Sequence, residues 1–301
     1  MNRPRVLVTG ASGFIARALI PPLLDQADVT LLLLEEFGSG TQLPSPLNKL
    51  RPNLDAVYAD LRNYQLTARA VRQAHPDKVI HLAAVGVSNP FLNVNTALSH
   101  NVTGTLNLLR ACFENDGLDV SQVIVARTPG ERTAMNVYAA SKAAAWAFCE
   151  MYARTAAWPV SGAMIFQAYG PHQPDHMLIP AATQAALSGA DFPMTDGSQR
   201  KDWIHIDDVA SGMIALLNAD LLPGTTVELG SGQAVSVFEV VEQIYRIANR
   251  GGRPLAGALP GRPGEEPIQI ADIERTTSLV GWRPNKPLAE GLRQLVNSIG
   301  N

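Results

Sequence analysis

The tightest constraint on the fold is a short apolar run that ends on a glycine turn and passes at once into an amphipathic stretch. Arg5–Thr9 (R-V-L-V-T) has the texture of a buried strand, Gly10 follows directly, and Phe14 to Leu24 carry apolar residues at helical spacing. Strand, glycine turn and helix in that order are what a pyrophosphate site requires. Gly10 permits the tight turn, Gly13 lets backbone approach a phosphate, and Ala16 takes the third small position, where helix packs on strand. Ser12, Phe14 and Ile15 lie in the same turn and first helical residues. The helix N-terminus offers N–H groups and a positive dipole end to an anion.

Further on, strand and helix alternate. Strand candidates are Val29–Leu34, Val57–Ala59, Val79–Leu82, Val123–Ala126 and Val160–Phe166, with helices over Tyr64–Gln73, Thr96–Glu114 and Tyr138–Thr155. This predicts an α/β fold, a Rossmann-type doubly wound parallel sheet. After Gly170 the texture changes to shorter elements punctuated by proline and glycine, as in Y-G-P-H-Q-P-D-H and G-R-P-G-E-E-P. Residues 1–170 are expected to form a dinucleotide-binding domain and 171–301 a smaller α/β substrate-binding domain. Segment 203–230 is expected to return to the first as a helix and strand.

Composition narrows the class. The chain has 301 residues, 46% hydrophobic and 17% charged, with a formal charge of −3, so it carries no electrostatic footprint for nucleic acid or an anionic membrane. No apolar run reaches the length of a membrane-spanning helix. A strand begins within the first five residues, which leaves no room for a signal peptide and implies a cytoplasmic protein. Cys112 and Cys149 sit in apolar helical contexts and read as buried thiols. H-I-D-D at 205–208 invites a metal reading, but Asp207 and Asp208 suit the start of a helix, and no metal is expected.

The chemistry is carried by Y-A-A-S-K. Tyr138 and Lys142, at i and i+4, share one helix face, so a phenol and an ammonium lie side by side. An adjacent positive charge stabilises a phenolate and is expected to lower the tyrosine pKa, suiting Tyr138 to proton transfer near neutral pH. Taken alone, such a pair is an ordinary solvated helix surface; behind a dinucleotide turn it completes an apparatus for alcohol–ketone interconversion.

Together the motifs resemble the extended short-chain dehydrogenase/reductase family, of the NAD-dependent epimerase/dehydratase type, along nearly the whole chain. T-G-A-S-G-F-I-A at 9–16 looks like its cofactor motif, and D-L-R at 60–62 like its adenine-contacting turn. H-L-A-A at 81–84 looks like the strand end beside the cofactor, and N-V-T-G-T-L-N-L-L at 101–109 like the helix behind the nicotinamide. R-K-D-W-I-H-I-D-D-V and R-P-G-E-E-P look like the C-terminal signatures. The resemblance implies cofactor contacts at Asp60, Leu61, Leu82, Ala83, Ala84 and Asn101, besides the glycine turn, and at Tyr138 and Lys142, the lysine bonding the nicotinamide ribose. It places a serine or threonine after the fifth strand; Thr128 matches by position, with Thr133 in reserve. A nucleoside-diphosphate sugar is the implied substrate, held by Arg262, Lys201 or the adjacent Arg200, and Gln167, with His176 lining the sugar pocket. It also implies a homodimer through the helices Thr96–Glu114 and Tyr138–Thr155.

Two choices remain within this frame. Glu35, at the end of the second strand, offers a carboxylate to the ribose hydroxyls and no arginine follows, which favours NAD over NADP. The short segment before Tyr138 and Y-G-P-H-Q-P-D-H-M-L-I-P favour a 4-ketoreductase of deoxysugar biosynthesis; the implied NAD pulls toward a 4-epimerase that keeps its cofactor bound. The missing Thr-Asp-Glu set argues against 4,6-dehydration. A dinucleotide-binding sensor without turnover is the third reading, opposed by the presence of both Tyr138 and Lys142.

Overall fold

The computed structural model describes residues 3–87, 89, 92–261 and 264–300. The chain forms two compact units, Met1–Met164 with Met213–Val227 and Ile165–Gly212 with Glu228–Asn301. The first unit opens with β1 (Arg5–Thr9), α1 (Phe14–Leu23), β2 (Asp28–Leu33), the single turn α2 (Leu47–Leu50), β3 (Asp55–Tyr58), α3 (Tyr64–Ala74) and β4 (Lys78–His81). It continues through α4 (Val94–Ala97), α5 (Gly104–Phe113), β5 (Gln122–Arg127), α6 (Val137–Ala156) and β6 (Val160–Ile165). The second unit holds β7 (Gln167–Tyr169), α7 (Leu178–Ser188), β8 (Phe192–Pro193) and β9 (Arg200–His205). The chain crosses back within α8 (Ile206–Leu217) and leaves again within β10 (Thr226–Leu229). It ends with β11 (Ala234–Ser236), α9 (Val237–Ala248), β12 (Pro254–Leu255), α10 (Ile273–Val280) and α11 (Leu288–Gly300).

The main sheet has the order β10-β6-β5-β4-β1-β2-β3. β1 pairs in parallel with β2 on one side and β4 on the other, so the strand order reverses at β1. That reversal is where an open parallel sheet leaves a crevice at its carboxyl edge. The central strands are buried along their length rather than on alternate residues, as in β6, where every position is buried, because helices cover both faces. Leu7, Val79, Leu108, Leu109, Val123 and Val160 pack together in one core cluster.

Three differences from the sequence reading have local causes. β2 stops at Leu33, because Leu34, half exposed, starts a 3-10 turn over Glu35–Phe37. The expected continuous helix Thr96–Glu114 is interrupted by a π-helical segment, Leu98–Thr103, between α4 and α5. Such wide turns are local departures from helical hydrogen bonding that apolar periodicity does not register. The return to the first unit begins at Met213 rather than Trp203, because β9 is committed elsewhere: it pairs in parallel with β7 and antiparallel with β11.

The second unit packs α7, α9 and α11 around Tyr169, Ile179, Trp203, Val240, Ile244 and Leu295. Asp202, in β9, is fully buried. It accepts the Ser231 N–H at 2.5 Å, the Ser231 hydroxyl at 2.7 Å, the Gly232 N–H at 2.9 Å and the Ala271 N–H at 3.1 Å. Asp202→Ala strands these donors in a dry site and is expected to cost about 3 kcal/mol, a fall of roughly 10 °C by differential scanning calorimetry. Arg283→Ala, which removes only an exposed pair with Glu274, should move the transition by less than about 1 kcal/mol.

Candidate active site

The glycine turn is built by close approach. Gly10 has φ +66°, and a Cβ there would stand 2.6 Å from the Ala83 nitrogen and 2.7 Å from the Leu82 carbonyl carbon. Its carbonyl accepts the Gly13 N–H at 2.9 Å. Gly13 caps α1 without any side-chain bond, which leaves the first N–H groups of the helix available to a ligand. Ala16 is fully buried, as its packing role requires.

A continuous hydrogen-bond chain ties this turn to the helix that carries the tyrosine. Asn136 caps α6 by accepting the Ala139 N–H. In the first turn of α6 the Ser141 hydroxyl donates to the Tyr138 carbonyl at 2.7 Å, and the Asn101 amide donates to Ser141 Oγ at 2.9 Å. Asn101, in the π-helical segment, also exchanges bonds with both backbone groups of Val85. Thr105 donates to the Asn101 carbonyl at 2.7 Å, so its oxygen accepts from His81 Nε2 at 2.9 Å. His81 Nδ1 is then the acceptor from Thr9 Oγ1, at 2.7 Å, and Thr9 in turn accepts the Ala83 N–H at 3.3 Å. The chain fixes one tautomer of His81, and burial with the nearby Lys142 charge pushes its pKa down to about 3, so the ring is neutral.

Tyr138 and Lys142 lie on the first turns of α6 as expected, but the electrostatics differ from the sequence reading. Burial, reinforced by Glu131, pushes the Tyr138 phenol up rather than down. The desolvation of a buried phenolate outweighs the neighbouring ammonium. Lys142 is 3% exposed, and burial lowers its pKa. Among the described residues it makes no hydrogen bond or ion pair. A buried lysine with no hydrogen-bond partner among the described residues, an uncapped helix N-terminus and a turn where no Cβ fits are together what a dinucleotide would complete.

The other residues expected from sequence to contact a cofactor or substrate in the first unit have other surroundings. Glu35 is exposed in the turn after β2. The Asp60 carboxylate is committed to Arg62, at 2.5 Å, which holds it below the usual carboxylate range. The Leu61 carbonyl accepts from Asn107 at 2.8 Å, and Gly104 lets α5 approach Leu61 closely. Thr128 follows β5 directly and is half-buried, whereas Thr133 is exposed at the end of a 3-10 turn over Pro129–Arg132.

In the second unit, Gln167 begins β7 and is half-buried. Lys201 is 6% exposed and already engaged, 3.5 Å from Glu265 and donating to the Glu266 carbonyl at 3.3 Å. Arg200 donates to the Ala234 carbonyl at 2.6 Å and lies 3.6 Å from Glu239. His176 is exposed, and Arg262 lies outside the described residues. Asp207 and Asp208 open α8; Asp208 accepts the N–H groups of Asn285 and Lys286, and Asp207 pairs with the Lys286 ammonium at 2.7 Å. Among the described residues no cluster of three or more His, Cys, Asp or Glu is arranged to hold a metal. Both cysteines are buried and unpaired.

Sequence reasoning missed Thr9, Thr105, Ser141, Arg127 and Glu131. Ser141 was within reach, since it sits inside Y-A-A-S-K; the others acquire meaning only when distant segments meet. Gly10→Ala is expected to weaken dinucleotide binding by roughly 30-fold or more, since strain and contact each cost about 1–3 kcal/mol. Calorimetric titration against Gly117→Ala, where φ is also positive but nothing lies within 4 Å, separates the contact from the strain.

Comparison with known proteins agrees with this geometry. Residues 6–230 match the NAD dependent epimerase/dehydratase family. The low-salt glycan biosynthesis protein Agl12 of Haloferax volcanii is 30% identical, across 97% of each chain. A UDP-glucuronate 4-epimerase of Thermodesulfobacterium geofontis is 27% identical over 97% of this chain and 94% of its own. The structure of DesIV, a dTDP-glucose 4,6-dehydratase from Streptomyces venezuelae with NAD bound, superposes with a TM-score of 0.82 at 26% identity, covering 97% of this chain and 96% of that one. The glycine turn, the Tyr138–Lys142 helix and the breadth of the match together make this chain a member of the NAD-dependent epimerase/dehydratase family.

Proposed function

We propose that the chain is an NAD-dependent 4-epimerase of a nucleoside-diphosphate sugar. Its class is the coarser part: an NAD-dependent oxidoreductase of a family that acts on nucleotide sugars. Lys142, buried one turn from Tyr138, supports the oxidoreductase chemistry, and the recurrence of 4-epimerases among the relatives is the observation that carries the choice of epimerase. Against the sequence preference for a 4-ketoreductase stand the relatives, where UDP-glucose and UDP-glucuronate 4-epimerases recur over nearly full length. Ketoreduction appears as one of three activities in a larger Arabidopsis thaliana relative. The short loop that favoured a ketoreductase distinguishes no chemistry, since both reactions need the same acid–base pair.

Bound NAD supplies the acceptor and donor of hydride at the sugar carbon. Tyr138 would take the C4 hydroxyl proton on oxidation and return it to the same oxygen on reduction, after the 4-keto sugar has turned to present its opposite face to the returning hydride. Lys142 bonds the ribose and stabilises the phenolate while it exists. Thr128 bonds the substrate oxygen and keeps it in reach of Tyr138. The exposed Glu35 carboxylate accepts from the adenosine ribose and opposes a 2′-phosphate, which makes NADP the less favoured cofactor. Nucleotide anchoring falls to the second unit, to Gln167, Lys201, Arg200, Arg262 and His176. Lys201 is the weakest of these, since its charge already faces Glu265. A homodimer through α5 and α6 is part of the same proposal, and Phe148, 43% exposed on α6, suits a covered position.

The purified protein is expected to carry NAD and to interconvert C4 epimers with no net NADH consumption. Tyr138→Phe should cut turnover by about 10²–10⁴-fold and leave NAD affinity within a few-fold. Stoichiometric NADH oxidation by a 4-keto sugar from an empty site would establish the ketoreductase instead. Function that survives Tyr138→Phe intact would point to a binding module.

A further inference from the structure

Thr128 is tied down through its backbone by a single residue. Its N–H donates to one Glu131 carboxylate oxygen at 2.9 Å, and its carbonyl accepts the Glu131 N–H at 3.1 Å. The other carboxylate oxygen accepts the Arg127 Nε–H at 2.8 Å. Arg127 is in turn held on three sides. It donates to Thr226 Oγ1 of β10 at 2.7 Å and sits 4.2 Å over the Trp146 ring of α6. A Cβ on Gly162 of β6 would stand 2.8 Å from both Arg127 Cδ and Thr226 Oγ1, so glycine there makes room for the arginine stem. Three strands and the tyrosine helix thus converge on one ion pair, whose side chains are 13% and 2% exposed. Apolar residues of similar volume would often be as stable as a buried pair, so stability alone does not account for it. Its position does. Tyr138 follows Thr128 by only ten residues, and the Pro129–Arg132 turn between them abuts the first turn of α6. A Cβ on Gly130 would lie 3.4 Å from that of Ala139, the neighbour of Tyr138.

We propose that Arg127 and Glu131 are positioning residues that fix Thr128 relative to α6, so that its hydroxyl meets the substrate oxygen within reach of Tyr138. Both carboxylate oxygens are already taken and the guanidinium is covered by Trp146, so the pair acts on turnover only through Thr128. The proposal rests on the role given to Thr128 above.

Two double variants test it without leaving one charge buried alone. Arg127→Met with Glu131→Gln keeps an acceptor for the Thr128 N–H; Arg127→Met with Glu131→Leu does not. The Leu form is expected to lower kcat about tenfold, as slight misplacement of a reacting group does, with KM and NAD affinity changed less than about threefold. The Gln form should recover most of that loss. Thr128→Ala alone should lower kcat about 100-fold, and adding the Leu pair to it should lower kcat no further. Losses that multiply would mean that the pair acts on the fold at large, and would overturn the proposal. Should the Leu form fail to fold, the Gln form carries the same additivity test, since the loss of Arg127 also loosens residue 131. A second readout needs no substrate. In NAD-loaded protein carrying ¹³C-methyl threonine, the Thr128 signal, assigned by its loss in Thr128→Ala, should shift in the Leu form and less in the Gln form, while those of Thr9 and Thr105 stay. A Thr128 methyl unmoved in both folded forms overturns the proposal. If it moves while no nucleotide sugar is turned over, the functional reading fails and the positioning of Thr128 stands.

Discussion

The site depends on one hydrogen-bonded line through the first unit, from the Tyr138 carbonyl through Ser141, Asn101, Thr105, His81 and Thr9 to the Ala83 N–H. It ends where Gly10 leaves no room for a side chain. Every link is buried or half-buried, and the Thr105 hydroxyl, committed to the Asn101 carbonyl, sets the direction in which the line runs. A neutral His81 is required at its centre, because a protonated ring would have two donors and could not accept from Thr9. The tyrosine-bearing helix and the glycine turn are thereby set relative to each other by hydrogen bonds rather than by apolar packing alone. Such fixed positioning is what lets a bound cofactor and a tyrosine act on one carbon.

Around that line, charge is placed with economy. Lys142 is buried, and the loss of water lowers its pKa despite the opposing pull of Glu131. Tyr138 is raised by burial and by Glu131. Both shifts favour the neutral forms before ligands arrive. In the cofactor-free protein, Tyr138 holds its proton and Lys142 binds its own less firmly than a solvated lysine. The nearby positive charge inferred from sequence is present, but it does not outweigh the loss of water around the phenol.

Much of this was legible in the sequence. β1 covers the same residues as the strand read from R-V-L-V-T, and α6 extends the tyrosine helix by one residue at each end, because apolar texture and a glycine stop are local signals. The π-helical segment was hidden: apolar spacing continues through it, and its Asn101 bonds Val85, 16 residues away. The Thr9–His81 bond joins residues 72 apart. Arg127 and Glu131, at i and i+4, look like any solvated pair until Trp146 and Thr226 close over them. Asp60 and Lys201 matched motif positions, yet Arg62 and Glu265 already occupy their charges. Motifs name residues; they do not say which charges a fold has already used.

The most direct measurement is the fate of deuterium placed at C4 of a nucleoside-diphosphate hexose that the purified protein turns over. Transient oxidation with return to the same carbon leaves the label on C4 of the epimer, with no exchange into solvent or free cofactor, and this is the expected result. Label found at C6 would reveal a dehydratase, and label released in reduced cofactor would reveal a simple dehydrogenase or ketoreductase. Either result would contradict epimerisation by Tyr138.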